Sequence, residues 1–352
     1  ETALLIENAS NEINTTLLSV RRMGKTGLIH HCFNSLEKNK DWECIYVDIY
    51  ATQNLAEFTN QMASAILTKF PQNKSIGKKF IDLIKGFSPV ISYDALTGNP
   101  EIAFNYSQET QYVHSLKGLF SFLEEQDQQI VIAIDEFQQI ANYPEKNTEA
   151  LLRTIIQALN NVVFIFSGSH KHLLIEMFNS AKRPFFSSTS PLHLGNIPSD
   201  KYEVFIKKLF KKENKNIDDD SIHFILEWTR VHTYYTQALC NKIFSQSGSE
   251  ITIEVVYKAC DTILKEQENV FFQYRNLLTG PQWNLLKAIA KEDKVYQPTA
   301  NAFTSKYKLG NSASVKRSLE ALVSKEMVYK EDNEEGSYYQ VYDCFLSRWL
   351  ER

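Results

Sequence analysis

Between Leu17 and Ile29 a short apolar run passes through Ser19-Val20-Arg21-Arg22-Met23 into a segment that opens Gly24-Lys25-Thr26-Gly27 and continues with helical spacing. A strand, a tight turn and a helix in that order leave few folds open. The turn must curl its backbone N–H groups inward, and the positive end of the helix must face whatever the turn encloses. Gly-Lys-Thr at such a junction is the pattern of a phosphate-binding loop. The N–H groups of Met23, Gly24 and Lys25 would line the cradle, Lys25 would neutralise the outer phosphates, and the Thr26 hydroxyl would hold Mg²⁺. Ser19 stands where the consensus has its first glycine, and serine can begin the turn if its φ stays negative.

A second segment supports this far downstream. Ile130 to Ile134 is an unbroken apolar run that ends in Asp135-Glu136. A parallel strand buried on both faces, carrying two carboxylates at its C-terminal end, is where an ATPase keeps a magnesium ligand and a water-activating base. Asp135 takes the first role and Glu136 the second. Either segment alone suits an ordinary helix start or strand exit; their order along the chain is what points to ATP and Mg²⁺. A third strand, Val162 to Phe166, ends in Ser167-Gly168-Ser169, so Ser167 and Ser169 could touch the γ-phosphate or form a plain strand exit. Arg22 and Arg21 flank the loop and raise its potential.

A chain of 352 residues exceeds one typical core, so two or three domains are expected. The formal net charge of −4 supplies no global attraction to nucleic acid or to an anionic membrane. Five scattered cysteines without a CxxC pair read as reduced thiols of a cytoplasmic protein, not as a disulfide frame or zinc site. No apolar run approaches membrane-spanning length. The sequence opens at Glu1 and not Met, so a native N-terminal piece is expected to precede it.

The first half alternates strand and helix, the signature of an α/β fold with a parallel sheet between helices. Residues 1–197 form the expected core, with strands at 14–20, 43–48, 130–135, 162–166 and 192–194. Helices are expected at 26–36, 55–70, 112–125 and 146–160. A basic stretch with Lys74, Lys78, Lys79 and Lys85 interrupts the pattern, followed by two short β runs around Gly98-Asn99-Pro100 that read as a hairpin inserted on the sheet at about 88–106. Residues 198–276 read as helical and would form a lid over the nucleotide base, with Asp218-Asp219-Asp220 as a cap and acidic first turn. Residues 277–352 carry three helices and a hairpin, the outline of a winged helix.

These motifs together resemble the archaeal-type predicted ATPase family of the AAA+ superfamily. The resemblance rests on Arg21-Arg22-Met23-Gly24-Lys25-Thr26, Ile134-Asp135-Glu136-Phe137-Gln138, Phe166-Ser167-Gly168-Ser169, Tyr234-Tyr235-Thr236-Gln237, Val341-Tyr342-Asp343-Cys344-Phe345 and Arg348-Trp349-Leu350. It covers nearly the whole chain and implies a P-loop ATPase core, a helical lid and a C-terminal winged helix. Two departures stand out: Ser19, and Val231-His232-Thr233 where relatives usually carry a Gly-His-Pro type turn.

Arg183, before Pro184, is the basic residue placed to approach a phosphate in its own or a neighbouring subunit, and it equally suits a surface turn. His232 and Tyr234 are lid candidates for the base, or core. Lys316 and Arg317 lie on the expected recognition helix, with Lys306 and Lys308 just before it. The segment from Gly280 nevertheless balances 11 Lys and Arg against 10 Asp and Glu, so DNA and protein both stay open as its partner. Three functions fit: an ATPase that hydrolyses slowly to rearrange lid and winged helix, a nucleotide-gated DNA-binding regulator without turnover, and a scaffold whose site has decayed. Retention of Lys25, Thr26, Asp135 and Glu136 together opposes decay.

Overall fold

The apolar runs of the first half pair in parallel, which buries each on both faces. The computed structural model describes residues 1–72, 74–106 and 108–352, and the chain divides into two units, 1–195 and 196–352. In chain order the first unit holds α1 (Thr2–Ser10), β1 (Thr15–Leu18), α2 (Lys25–Leu36), β2 (Trp42–Asp48), α3 (Leu55–Lys69), α4 (Ser75–Lys85), β3 (Pro89–Tyr93) and β4 (Pro100–Phe104). It continues with α5 (Glu109–Glu124), β5 (Gln129–Asp135), a 3₁₀ turn (Phe137–Asn142), α6 (Thr148–Gln157), β6 (Val162–Ser167), α7 (Lys171–Asn179) and β7 (Ser190–His193).

Five strands form one parallel sheet in the order β2-β5-β6-β1-β7. Alternate residues serve opposite layers, as the two-residue period of a strand dictates. Val131, Ala133, Ile165 and Leu17 pack with Ile29 and Cys32 of α2, while Ile132, Ile134, Phe164 and Phe166 pack with Phe58, Leu119 and Phe178 from the helices opposite. Each large apolar side chain removed from water in these layers contributes about 1.5–3 kcal/mol. The sheet is thus a rigid floor, and its C-terminal edge carries the loops.

The structure departs from sequence expectation in four places. Among the described residues the hairpin does not join the sheet, and β3 and β4 pair only with each other. The outer N–H groups of β4 go to α3, Ile102 N to Ser64 Oγ at 2.8 Å and Phe104 N to Asn60 Oδ1 at 3.2 Å. The basic stretch is a helix, α4, whose Phe80 and Ile84 are buried four residues apart beneath exposed lysines. The helix expected at 146–160 shortens to α6, preceded by the 3₁₀ turn. Finally, α7 starts within four residues of the end of β6, where only a turn was expected.

The second unit holds α8 (Ser199–Lys212), β8 (Asn216–Ile217), α9 (Asp219–Trp228), α10 (Thr233–Gln246), β9 (Glu250–Ile251) and α11 (Ile253–Leu277). It ends with α12 (Gly280–Glu292), α13 (Asn301–Lys306), α14 (Ser312–Ser324), β10 (Val328–Asn333), β11 (Gly336–Val341) and α15 (Cys344–Leu350). Asp218 caps α9 by accepting from Ser221 N at 2.6 Å, as its position implies.

One hydrophobic core runs from Tyr202 of α8 to Leu350 of α15. The ring of Phe345, 1% exposed, lies tilted 5.6 Å from Trp228 and edge-on 4.8 Å from Tyr235, centroid to centroid. Arg230 donates to Val341 O at 3.1 Å and Ser347 Oγ at 2.7 Å and pairs with Asp293 at 2.5 Å. The helices after the sheet and the winged-helix elements therefore share their packing.

Candidate active site

From the end of β1 the chain wraps round the N-terminus of α2. Arg22 at φ 61° and Gly24 at φ 100° supply the left-handed turns. A Cβ on Gly24 would meet nothing within 4 Å, so conformation and not crowding calls for glycine there. Ser19 is not among the left-handed residues, so it starts the turn in the way a serine can. Its hydroxyl donates to Val20 O at 2.9 Å and accepts from Lys25 Nζ at 3.3 Å; Lys25 also reaches Val20 O at 3.4 Å. Met23 is buried beneath the loop, while Thr26 and Gly27 are exposed on the first turn of α2.

Lys25 is 8% exposed, and among the described residues no carboxylate forms an ion pair with it. Burial lowers its pKa, against the pull of Asp135 and Glu136, which favour the ammonium. A buried ammonium hydrogen-bonded to a hydroxyl and a carbonyl suits an anion.

Strand β6 lies between β1 and β5, so Asp135 faces the loop across one strand. Its Oδ2 accepts from Thr26 Oγ1 at 3.3 Å and Tyr46 OH at 2.7 Å. Its Oδ1 accepts from Ser167 Oγ at 2.6 Å and the Glu136 N–H at 3.0 Å. Four donors from α2, β2, β6 and the strand end thus fix one carboxylate. Asp48, the register partner of Asp135, is raised in pKa by burial, and the Asp135 and Glu136 charges add to that.

The strand ends because Glu136 turns left-handed at φ 58°. Glu136 Oε2 accepts from Gln138 Nε2 at 2.5 Å, Ser169 Oγ at 2.8 Å and Ser169 N at 3.3 Å. Gln138 is 4% exposed and lies so close to Gly168 that a Cβ there would fall 1.8 Å from its Oε1. A side chain at position 168 would therefore have to displace the Gln138 amide.

The structure brings together Ser19, Lys25, Thr26, Asp135, Glu136, Ser167 and Ser169. Arg183 is engaged elsewhere, with Glu149 at 2.5 Å and Glu176 at 3.4 Å, and His232 and Tyr234 lie in the second unit. Tyr46 and His170 are additions that sequence reading missed. Tyr46 reaches Asp135 across the β2–β5 pairing, and His170 is tied to Arg21 and Gln138 over long stretches of chain. The signal was present only for Tyr46, two residues before the end of the apolar run of β2.

The oxygen pair of Thr26 and Asp135 fits Mg²⁺, which takes one or two protein oxygens and completes its shell with phosphate and water. Among the described residues no group of three His, Cys, Asp or Glu forms a self-sufficient metal cage.

Loop, buried lysine and paired strand-end carboxylates define a P-loop NTPase, and the second unit adds a winged helix. Residues 23–183 match the family model described as the KAP family P-loop domain, and residues 269–352 match a probable winged helix domain. No curated protein matches the chain in sequence. Among solved structures it is similar to the Walker-type ATPase of Pyrococcus abyssi, at 17% identity and TM-score 0.65, over 100% of this chain and 94% of that one. It is also similar to the Aeropyrum pernix ORC2 protein in ADPNP-ADP complexes (14% identity, TM-score 0.60, 100% and 91% covered) and to the Aeropyrum pernix ORC1 protein in complex with DNA (13%, 0.52, 99% and 90%). The fold is that of archaeal Walker-type ATPases with a C-terminal winged helix, as the motifs imply. Among the described residues no helix is long and apolar enough to cross a membrane.

Proposed function

We propose that the chain binds ATP with Mg²⁺ in the loop after β1 and hydrolyses it slowly. One observation carries this reading: Thr26 of the loop and Asp135 of β5 meet at 3.3 Å beside a buried Lys25. The N–H groups of Met23, Gly24 and Lys25, with Ser19, Arg22 and Gly27 around them, would cradle the phosphates. Lys25 would neutralise the β- and γ-phosphates, and Thr26 and Asp135 would hold Mg²⁺, which offsets phosphate charge when bound. Glu136 is the base for the attacking water, oriented by Ser169 and Gln138, and Ser167 keeps Asp135 aligned. Arg183 is assigned to stabilise transferring charge in its own or a neighbouring subunit; its pair with Glu149 must open for that. Binding and turnover would bias the arrangement of the helices after the sheet and the winged helix. The solved complex of a similar fold with DNA favours DNA as the first partner to test on the winged helix.

Thermal shift and phosphate release decide the matter. Saturating ATP·Mg²⁺ at a hundred times its Kd should stabilise the protein by about 2.7 kcal/mol, and Lys25→Ala should abolish the shift. Glu136→Gln should keep the shift and lose turnover, because the amide keeps the shape and removes the base. An unchanged melting temperature at millimolar nucleotide would reject the site, and full turnover by Glu136→Gln would reject its role as base.

A further inference from the structure

His170 stands between two donor groups, one at each ring nitrogen. Its Nε2 lies 3.4 Å from Arg21 Nη2, and its Nδ1 lies 3.2 Å from Gln138 Nε2 and 3.4 Å from Ser169 Oγ. A neutral imidazole has one N–H and one lone pair, whereas a guanidinium and an amide nitrogen only donate. The ring can therefore satisfy Arg21 or Gln138, not both together. With the lone pair on Nε2 it accepts from Arg21, and its Nδ1–H donates to Ser169 Oγ. With the lone pair on Nδ1 it accepts from Gln138, and its Nε2–H faces the guanidinium.

Gln138 Nε2 and Ser169 Oγ are also the side-chain donors to Glu136 Oε2. The tautomer of His170 thus decides which of them is gripped from a second side. The Gln138 amide has two hydrogens, enough for Glu136 and His170 at once. The amide lies in the space that Gly168 leaves open.

We propose that His170 is a positioning residue that couples the phosphate loop to Glu136 through its tautomer. Arg21 holds the ring in the Nδ1–H form. When Arg21 turns to a phosphate in the loop, the ring proton leaves Nδ1 and returns at Nε2 through solvent, with no net proton taken up. Nδ1 then accepts from Gln138, which fixes Glu136 for its work. The inference rests on the ATPase reading above, and its first test does not need turnover.

Nitrogen-15 NMR of the histidine-labelled full chain reports the tautomer, with His170→Asn used to assign the signal. Without nucleotide the parent should show Nδ1–H, and Arg21→Ala should show Nε2–H. The parent with a non-hydrolysable ATP analogue should match Arg21→Ala. An unchanged tautomer in Arg21→Ala, or a charged ring in the parent, overturns the proposal. In turnover, His170→Ala should lower kcat about tenfold with KM within about twofold. His170→Asn, which keeps a polar atom near the Nδ1 position, should recover most of that loss. Equal kcat in His170→Ala, or a loss confined to KM, also overturns it. A parent that shows no thermal shift with ATP·Mg²⁺ sinks the ATPase reading instead, while the Arg21→Ala comparison still decides the coupling.

Discussion

Lys25 holds a positive charge where water is scarce, and among the described residues its hydrogen bonds go to a hydroxyl and a carbonyl. That arrangement serves a ligand at the expense of the empty protein. Burial places its folded pKa below the 10.5 of a free lysine. Between those two values the unfolded chain binds more protons than the folded one, so stability rises with pH across that interval. Below the folded pKa the penalty is complete. Lys25→Met, which keeps the volume and removes the charge, should therefore stabilise the nucleotide-free protein at neutral pH by about 1 kcal/mol. It should also flatten the rise in stability toward pH 10. Urea midpoints from pH 7 to 10 for both proteins measure this; a less stable Lys25→Met would show that the ammonium is satisfied in the folded state.

At the scale of elements, α14 offers the clearest test of the winged helix. Lys316 and Arg317 are exposed on it and form no ion pair among the described residues, whereas Lys306 is tied to Glu292 and lies over Tyr307. The wing turn carries Glu334 and Glu335, so duplex binding should be weak and salt-sensitive. Reversing Lys316 and Arg317 to glutamate should weaken it for all sequences and reduce the salt slope by about one unit per lost phosphate contact. Fluorescence anisotropy at low and moderate salt reads this. Binding absent at low salt, or indifferent to the reversal, assigns the module to a protein partner.

Elements also mark what a sequence can reveal. Asp135 and Lys25 were legible because each ends or begins an apolar run whose period fixes its place. The apolar spacing of Leu174, Met177 and Phe178 was equally present, but the Ser-Gly-Ser exit of β6 masked a helix starting almost at once. In α4 the lysines drew attention from Phe80 and Ile84, which do the packing. Contacts such as Tyr46 to Asp135 and His170 to Arg21 join residues 89 and 149 apart, and only the pairing order of the strands creates them.

For the molecule as a whole, the shared core of the second unit predicts cooperative behaviour. Phe345 of α15 sits against Trp228 and Tyr235, and Arg348 donates to Trp228 O at 2.9 Å. Phe345→Ala should cost about 3–5 kcal/mol. Hydrogen exchange should then speed up together in α9, α10 and α12. Loss of protection in α12 alone would mean that the winged helix melts by itself.

Helix α11 runs unbroken from Ile253 to Leu277, and the winged-helix match begins inside it, at residue 269. Seen as a unit of inheritance, the winged helix cannot be traded away cleanly at its own border, because the cut would fall in a helix whose Ile263, Leu264 and Phe271 belong to the common core. Between Gly195 and Asn196 the chain passes from one contact unit to the next. A chimaera spliced at that seam would leave α11 whole, with its buried residues still inside the core they share.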